Sequence, residues 1–189
     1  MKRYFPFFCL ALLSLVPSLL FPQREWIYDD GALLFDHAAV RHQDYHKIWS
    51  QPYWGELTFL NQVEFLHRPL FLTVLAALRP YSHWIRTVVW VFHFGTACLV
   101  FLFLRRPFQG RVPPLFFAYF AMALFLFHPA HVEVTVQAIG LMDILTTFFG
   151  ALAFYLTQIS PALGLASIAL APGWKETGYF WLLAYFAFL

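Results

Sequence analysis

Apolar residues fill this chain in long unbroken blocks, and its polar residues are confined to the gaps between them. A helix that crosses a membrane needs about 20 apolar residues. The blocks predict six helices, at residues 4–21, 84–104, 113–127, 134–158, 161–172 and 179–189. The predicted fold class is an all-α polytopic membrane protein, with residues 1–189 forming a single transmembrane domain. Residues 22–83 make a long polar interval, in which Ile48-Trp49 and Tyr53-Trp54-Gly55 suggest short helices lying along the membrane interface. The first block follows Lys2 and Arg3 and has no small-x-small cleavage site before Gln23, so it reads as a retained signal anchor. The last block is cut at Leu189, which predicts that the chain is the amino-terminal part of a longer protein, inactive by itself in one reading and a degenerate copy in another.

Composition agrees with the blocks. Of 189 residues, 61% are hydrophobic and only 12% are charged, against about a quarter charged in an ordinary soluble domain. A soluble enzyme is excluded on this basis. The net charge of +2 is too small for a nucleic-acid footprint, and Cys9 and Cys98 both lie inside apolar blocks, so no disulfide framework is indicated.

The placement of charge is more informative than its sum. Lys2 and Arg3 precede the first block, and Arg105, Arg106 and Arg111 lie between the second and third, which puts these segments and the amino terminus in the cytoplasm. Three segments then face outward: the long interval, the stretch His128-Pro129-Ala130-His131-Val132-Glu133, and Lys175-Glu176. Nine of the ten acidic residues fall in them, and the tenth, Asp143, lies within the fourth block. The blocks 113–127 and 161–172 are short for a hydrocarbon core of about 30 Å. If they start at the inner boundary, His128 and Lys175-Glu176 end below the outer one and should line a wet cavity; a thinned or tilted bilayer is the alternative.

Each candidate has a functional and a bland reading. The adjacent carboxylates Asp29 and Asp30 raise each other's proton affinity, so one can act as a base toward a hydroxyl; such pairs also occur on ordinary surfaces. Arg68 precedes a proline, in extended backbone suited to presenting its fork to a phosphate, or simply snorkels. His128, His131 and Glu133 offer zinc-type ligands without the His-Glu-x-x-His order or a third ligand at a recognised spacing. Helix capping and hydrogen bonding to a sugar or phosphate are the preferred readings, a divalent metal is the minor alternative, and no cofactor is firmly predicted. Asp143 is costly in a membrane unless paired or solvated, and reads equally as a protonated structural residue bonded to a neighbouring helix or as a functional one; His93, in the second block, reads as making an interhelical hydrogen bond. Lys175-Glu176 reads as a self-compensating pair or as a cation beside a lipid phosphate.

In order along the chain, Tyr28-Asp29-Asp30, Trp49, Tyr53-Trp54-Gly55, Arg68-Pro69-Leu70, Phe92-His93, His128-Pro129-x-His131-x-Glu133, Gly140 with Asp143, and Lys175-Glu176-x-Gly178 form a set. This set resembles the polytopic glycosyltransferases of the C superfamily, in particular the transmembrane and tetratricopeptide-repeat O-mannosyltransferases and their bacterial relatives. The resemblance implies inverting transfer of a sugar, mannose above all, from a polyprenyl- or dolichyl-phosphate donor to a hydroxyl of a protein or glycan acceptor. The setting implied is the non-cytoplasmic face of a bacterial inner membrane or the endoplasmic reticulum. It implies Asp29 or Asp30 as base, Arg68 and Lys175 on the donor phosphate, and His128, His131, Glu133, Asp143 and Glu176 lining the cavity. Leu141 departs from the family, which often has arginine there. Two rival classes remain from the residues themselves: a transporter or channel, with Asp143 and Lys175 on an ion path, and a non-catalytic membrane scaffold.

Overall fold

The computed structural model describes residues 5–14, 30–53, 66–105 and 114–189, and every regular element among them is helical. Helix α1 is Phe5–Ser14. A π-turn at Ala32–Asp36 leads into the short helices α2 (Ala38–Arg41) and α3 (Tyr45–Ser50). Helix α4 (Pro69–Leu78) runs through a 3-10 stretch, Arg79–Trp84, into α5 (Ile85–Arg105). Then come α6 (Pro114–Phe127), α7 (Ala130–Val136), α8 (Gly140–Thr157), α9 (Pro161–Ile168), α10 (Ala171–Trp174) and α11 (Gly178–Phe188). Two helical stretches, Pro69–Arg105 and Gly140–Thr157, are long and apolar enough to cross a membrane. Shorter apolar helices surround them.

Burial follows the sequence pattern. Residues 33–53 fold over α4 and the start of α5, where Leu33, Val40, Tyr53, Phe71, Leu75 and Ile85 form a core that also takes in Leu141 and Leu145 of α8. A second cluster, Ala97, Phe101, Ala118 and Met122, joins α5 to α6, and Phe7 of α1 packs against it. A third, Ala153, Ile168, Ala171 and Tyr185, joins α8 to the last three helices. The outward faces are also apolar. Phe116, Phe120, Leu124 and Phe127 share an exposed side of α6, and Phe180 of α11 is 72% exposed. A stripe of this kind is unfavourable in water and suited to lipid.

His37 shows how the polar interval is held in place. Its Nδ1 accepts from the Val40 backbone N–H at 3.3 Å and its Nε2 lies 3.0 Å from the Tyr53 carbonyl. The carbonyl can only accept, so Nε2 carries the proton and the ring is neutral. Burial pushes its pKa below the ordinary histidine value, against the Tyr53 hydrogen bond. Asp44 caps α3 by accepting from the Lys47 N–H at 3.1 Å, which leaves Ile48 buried and Trp49 exposed. This is the short helix expected at Ile48-Trp49; Trp54 and Gly55 lie outside the described residues.

Three boundaries differ from the sequence reading. Helix begins at Pro69, not at 84, because proline pre-sets the first helical turn and the apolar run behind it buries Phe71, Leu72 and Leu75. The block 161–172 is divided: Pro172, without a backbone N–H, stands in the first turn of α10 and interrupts the ladder. The block 134–158 is also broken, since α7 ends at Val136 and α8 starts at Gly140. A side chain at Gly140 would overlap the Val134 carbonyl, so only glycine lets α8 start this close to α7.

Candidate functional site

The break between α7 and α8 organises the polar residues. It leaves the N–H groups of Ala138 and Ile139 outside the helical ladder, and both donate to the Asp30 carboxylate, at 2.9 and 2.8 Å. Asp30 is 1% exposed. Its two oxygens therefore serve as a long-range cap for α8, complementing the helix dipole as well as the orphan donors. Asp29, the other member of the acidic pair, lies outside the described residues.

Beside the break opens a cleft of about 490 Å³ lined by Glu133, Val134, Gln137, Gly140, Asp143 and Lys175, among others. Lys175 donates from Nζ to Asp143 Oδ1 at 2.5 Å, and the two side chains are 24% and 33% exposed. Glu133 is exposed and accepts from Gln137 Nε2 at 3.3 Å. The single helix expected over 134–158 is interrupted between Val136 and Gly140, so Glu133 and Asp143 do not stand on one continuous helix. The two carboxylates instead border the same cleft.

Lys175 and Glu176 pair with different partners, not with each other. Arg68, at the start of α4, donates from Nε to Glu176 Oε1 at 2.8 Å and from Nη2 to Oε2 at 2.7 Å. Its Nη1 donates to the Met142 sulfur at 3.2 Å, and its guanidinium stands 4.6 Å from the Tyr53 ring centre. Burial acts to raise the Glu176 pKa, but the Arg68 fork and the nearby Lys175 charge hold it below the usual carboxylate value. A phosphate would reach Arg68 only by displacing Glu176, whereas Lys175 already faces the cleft.

The histidines take two positions. His128 is exposed and accepts the Ala130 N–H at 3.2 Å through Nδ1, a local turn at the mouth of α7. His131 donates from Nδ1 to the Phe125 carbonyl at 2.7 Å and lies edge-on to His93 of α5, with ring centres 5.1 Å apart. The structure thus brings Glu133, Asp143 and Lys175 to one cleft, and His131 to a smaller cavity that shares Asp143 with it. Arg68 and Glu176 form a neighbouring pair, Asp30 sits behind the break, and His128 lies outside the cleft lining with its ring centre 5.8 Å from that of His131. Sequence reasoning missed Gln137 and Met142. Gln137 follows Glu133 by four residues, the helical spacing at which side chains meet; nothing in the sequence marks Met142. Among the described residues no group of three or more His, Cys, Asp or Glu side chains is arranged to hold a metal ion.

No family model matches the chain, and no curated protein or solved structure matches it.

Proposed function

We propose that the protein is a membrane glycosyltransferase that moves a sugar, mannose in the first instance, from a polyprenyl- or dolichyl-phosphate donor to an acceptor hydroxyl. The reading rests on one observation: a polar cleft holding Lys175, Asp143 and Glu133 lies among helices whose outer faces are apolar. A lipid-linked sugar phosphate has the same division, with a hydrocarbon chain suited to the apolar faces and an anionic sugar phosphate suited to the cleft. In this reading six spans carry the cleft on the non-cytoplasmic side, with the amino terminus in the cytoplasm.

Lys175 draws toward the leaving phosphate and stabilises the charge that grows on it as the glycosidic bond breaks. Arg68 does so only where Glu176 gives way. The base that takes the proton of the attacking hydroxyl is Asp29, while Asp30, its oxygens engaged by the helix break, holds that segment against α8. Attack opposite the departing phosphate inverts the anomeric centre in one step.

A non-catalytic scaffold is the second reading, and the observation in its favour is that both Asp30 oxygens accept from the backbone of the helix break. A channel is less well supported, since at the groove formed by α5, α8 and α11 the lining residues, such as Leu99, Phe103, Phe154 and Trp181, are apolar. The test is sugar transfer in proteoliposomes containing the chain and radiolabelled polyprenyl-phosphate mannose with peptide or glycan acceptors. Transfer that falls by at least a hundredfold in Asp29→Asn, and shows a raised donor KM in Lys175→Met, supports the transferase. A folded wild-type protein that transfers no polyprenyl-linked sugar, or transfer unaffected by either substitution, overturns it.

A further inference from the structure

Behind the cleft lies a second cavity, of about 90 Å³, which shares Val134 and Asp143 with it and is also lined by His93, Thr96, His131 and Thr147. His93 is 4% exposed, and its Nε2 has no hydrogen-bond partner among the described residues. A buried polar atom left unmatched costs about 1–3 kcal/mol, so what the cavity walls present to it matters. The Thr96 hydroxyl gives its proton to the Phe92 carbonyl at 2.9 Å, and the Thr147 hydroxyl gives its proton to the Asp143 carbonyl at 2.8 Å. Each then offers the cavity only lone pairs. His131 spends Nδ1–H on the Phe125 carbonyl, and in a neutral imidazole that tautomer leaves Nε2 as an acceptor. The His93 ring bonds to the backbone of Leu126; since Nε2 is unmatched, that bond belongs to Nδ1–H. Asp143, bonded to Lys175, contributes carboxylate oxygen.

Among the described residues the polar wall is therefore made of acceptors from three helices, α5, α7 and α8. Such a wall repels phosphate and carboxylate and selects molecules that donate. The cavity has room for a small cluster of waters.

We propose that this chamber is a binding site for small hydrogen-bond donors, filled by a water cluster that joins His93 and His131 to Asp143. Each water gives protons to these acceptors and solvates Asp143 from the side away from Lys175. Asp143 then stands between the hydrated cleft and a hydrated inner chamber. The inference is independent of the sugar-transfer reading.

The test uses the whole chain in lipid bilayers, labelled with nitrogen-15 at histidine, and solid-state magnetic resonance, with water as the probe. The spectrum of His93→Leu assigns the His93 signals; Thr96→Val, which removes one wall acceptor at similar volume, serves as a milder second variant. The expected result is a neutral His93 with an unprotonated Nε2 displaced toward the hydrogen-bonded range and a cross-peak to water protons. That cross-peak should weaken at least twofold in Thr96→Val. An Nε2 at the position of a free lone pair with no water cross-peak, or a protonated Nε2, overturns the proposal. Radiolytic labelling in oxygen-18 water gives an independent readout: bound internal water marks His93 despite its burial, and a dry chamber leaves it unmarked.

Discussion

The polar cleft at the α7–α8 break and the apolar groove of about 340 Å³ formed by α5, α8 and α11 belong to the same bundle but are held by different forces. Leu99, Val100, Phe103, Phe154 and Trp181 shape the groove by volume alone. The cleft is fixed by directed links between distant parts of the chain: Asp30 to the break, Arg68 to Glu176, and Lys175 to Asp143. Apolar packing is non-directional and tolerates exchange of shape. Charged links are specific, and removing one partner leaves the other unmatched. The cleft should therefore be far more sensitive than the groove to single substitutions.

The largest effect is expected at Asp30. Asp30→Ala leaves one buried and one part-buried N–H group without an acceptor, and at about 1–3 kcal/mol for each the loss should reach about 3 kcal/mol, measured by unfolding in lipid bicelles. Asp30→Asn keeps one carbonyl acceptor and should lose about half as much. A loss below about 1 kcal/mol in Asp30→Ala would mean that the break holds itself without the carboxylate. Arg68→Met comes next, at about 2 kcal/mol, because it leaves Glu176 facing an apolar end. A double-mutant cycle with Glu176→Gln should return a coupling of only about 1 kcal/mol, since Glu176 is 41% exposed and solvent screens the pair. In the groove Leu99→Met, which conserves volume, should cost less than about 1.5 kcal/mol. A larger loss there than at Arg68 would reverse the comparison.

The same contrast explains what could be read from sequence. The helices α5, α6 and α11 lie within one residue of their predicted bounds, because an apolar block of that length specifies a helix locally. The break inside 134–158 was hidden, since Gly140 in an apolar helical pattern is ordinary and the acceptor that stabilises the break lies more than 100 residues upstream at Asp30. The start of α4 carried a readable signal, Pro69 followed by an apolar run, which the polar surroundings of the 22–83 interval obscured. At the site, the identities of the charged residues were legible but their pairing was not. Lys175 and Glu176, adjacent in sequence, turn to Asp143 and Arg68 because the chain between α10 and α11 is extended at Lys175 and sends neighbouring side chains apart.

Acid should undo the polar end in two steps. His37 has a lowered folded pKa, so its contribution is complete above its unfolded value of 6.5 and is lost as pH falls toward the folded one. Glu176 is also lowered, so the Arg68 link is complete above 4.5 and is lost as acid titrates the folded carboxylate. Stability measured from pH 8 downward should fall first with His37 and then with Glu176, and Glu176→Gln should remove only the lower step. A stability that rises on acidification through this range would contradict both assignments.

The smallest effect on the fold is expected at Glu133. Its carboxylate is exposed and makes one long bond, to Gln137 at 3.3 Å, so Glu133→Gln should change stability by less than about 0.5 kcal/mol. That indifference makes the position useful. Asp30 and Arg68 carry so much of the local structure that a loss of activity on changing them would not separate chemistry from folding. Glu133 lines the cleft without holding it together. A fall in sugar transfer of tenfold or more in Glu133→Gln, at unchanged unfolding midpoint, would therefore report on what the cleft binds. Unchanged transfer would confine the working part of the cleft to its Lys175–Asp143 wall.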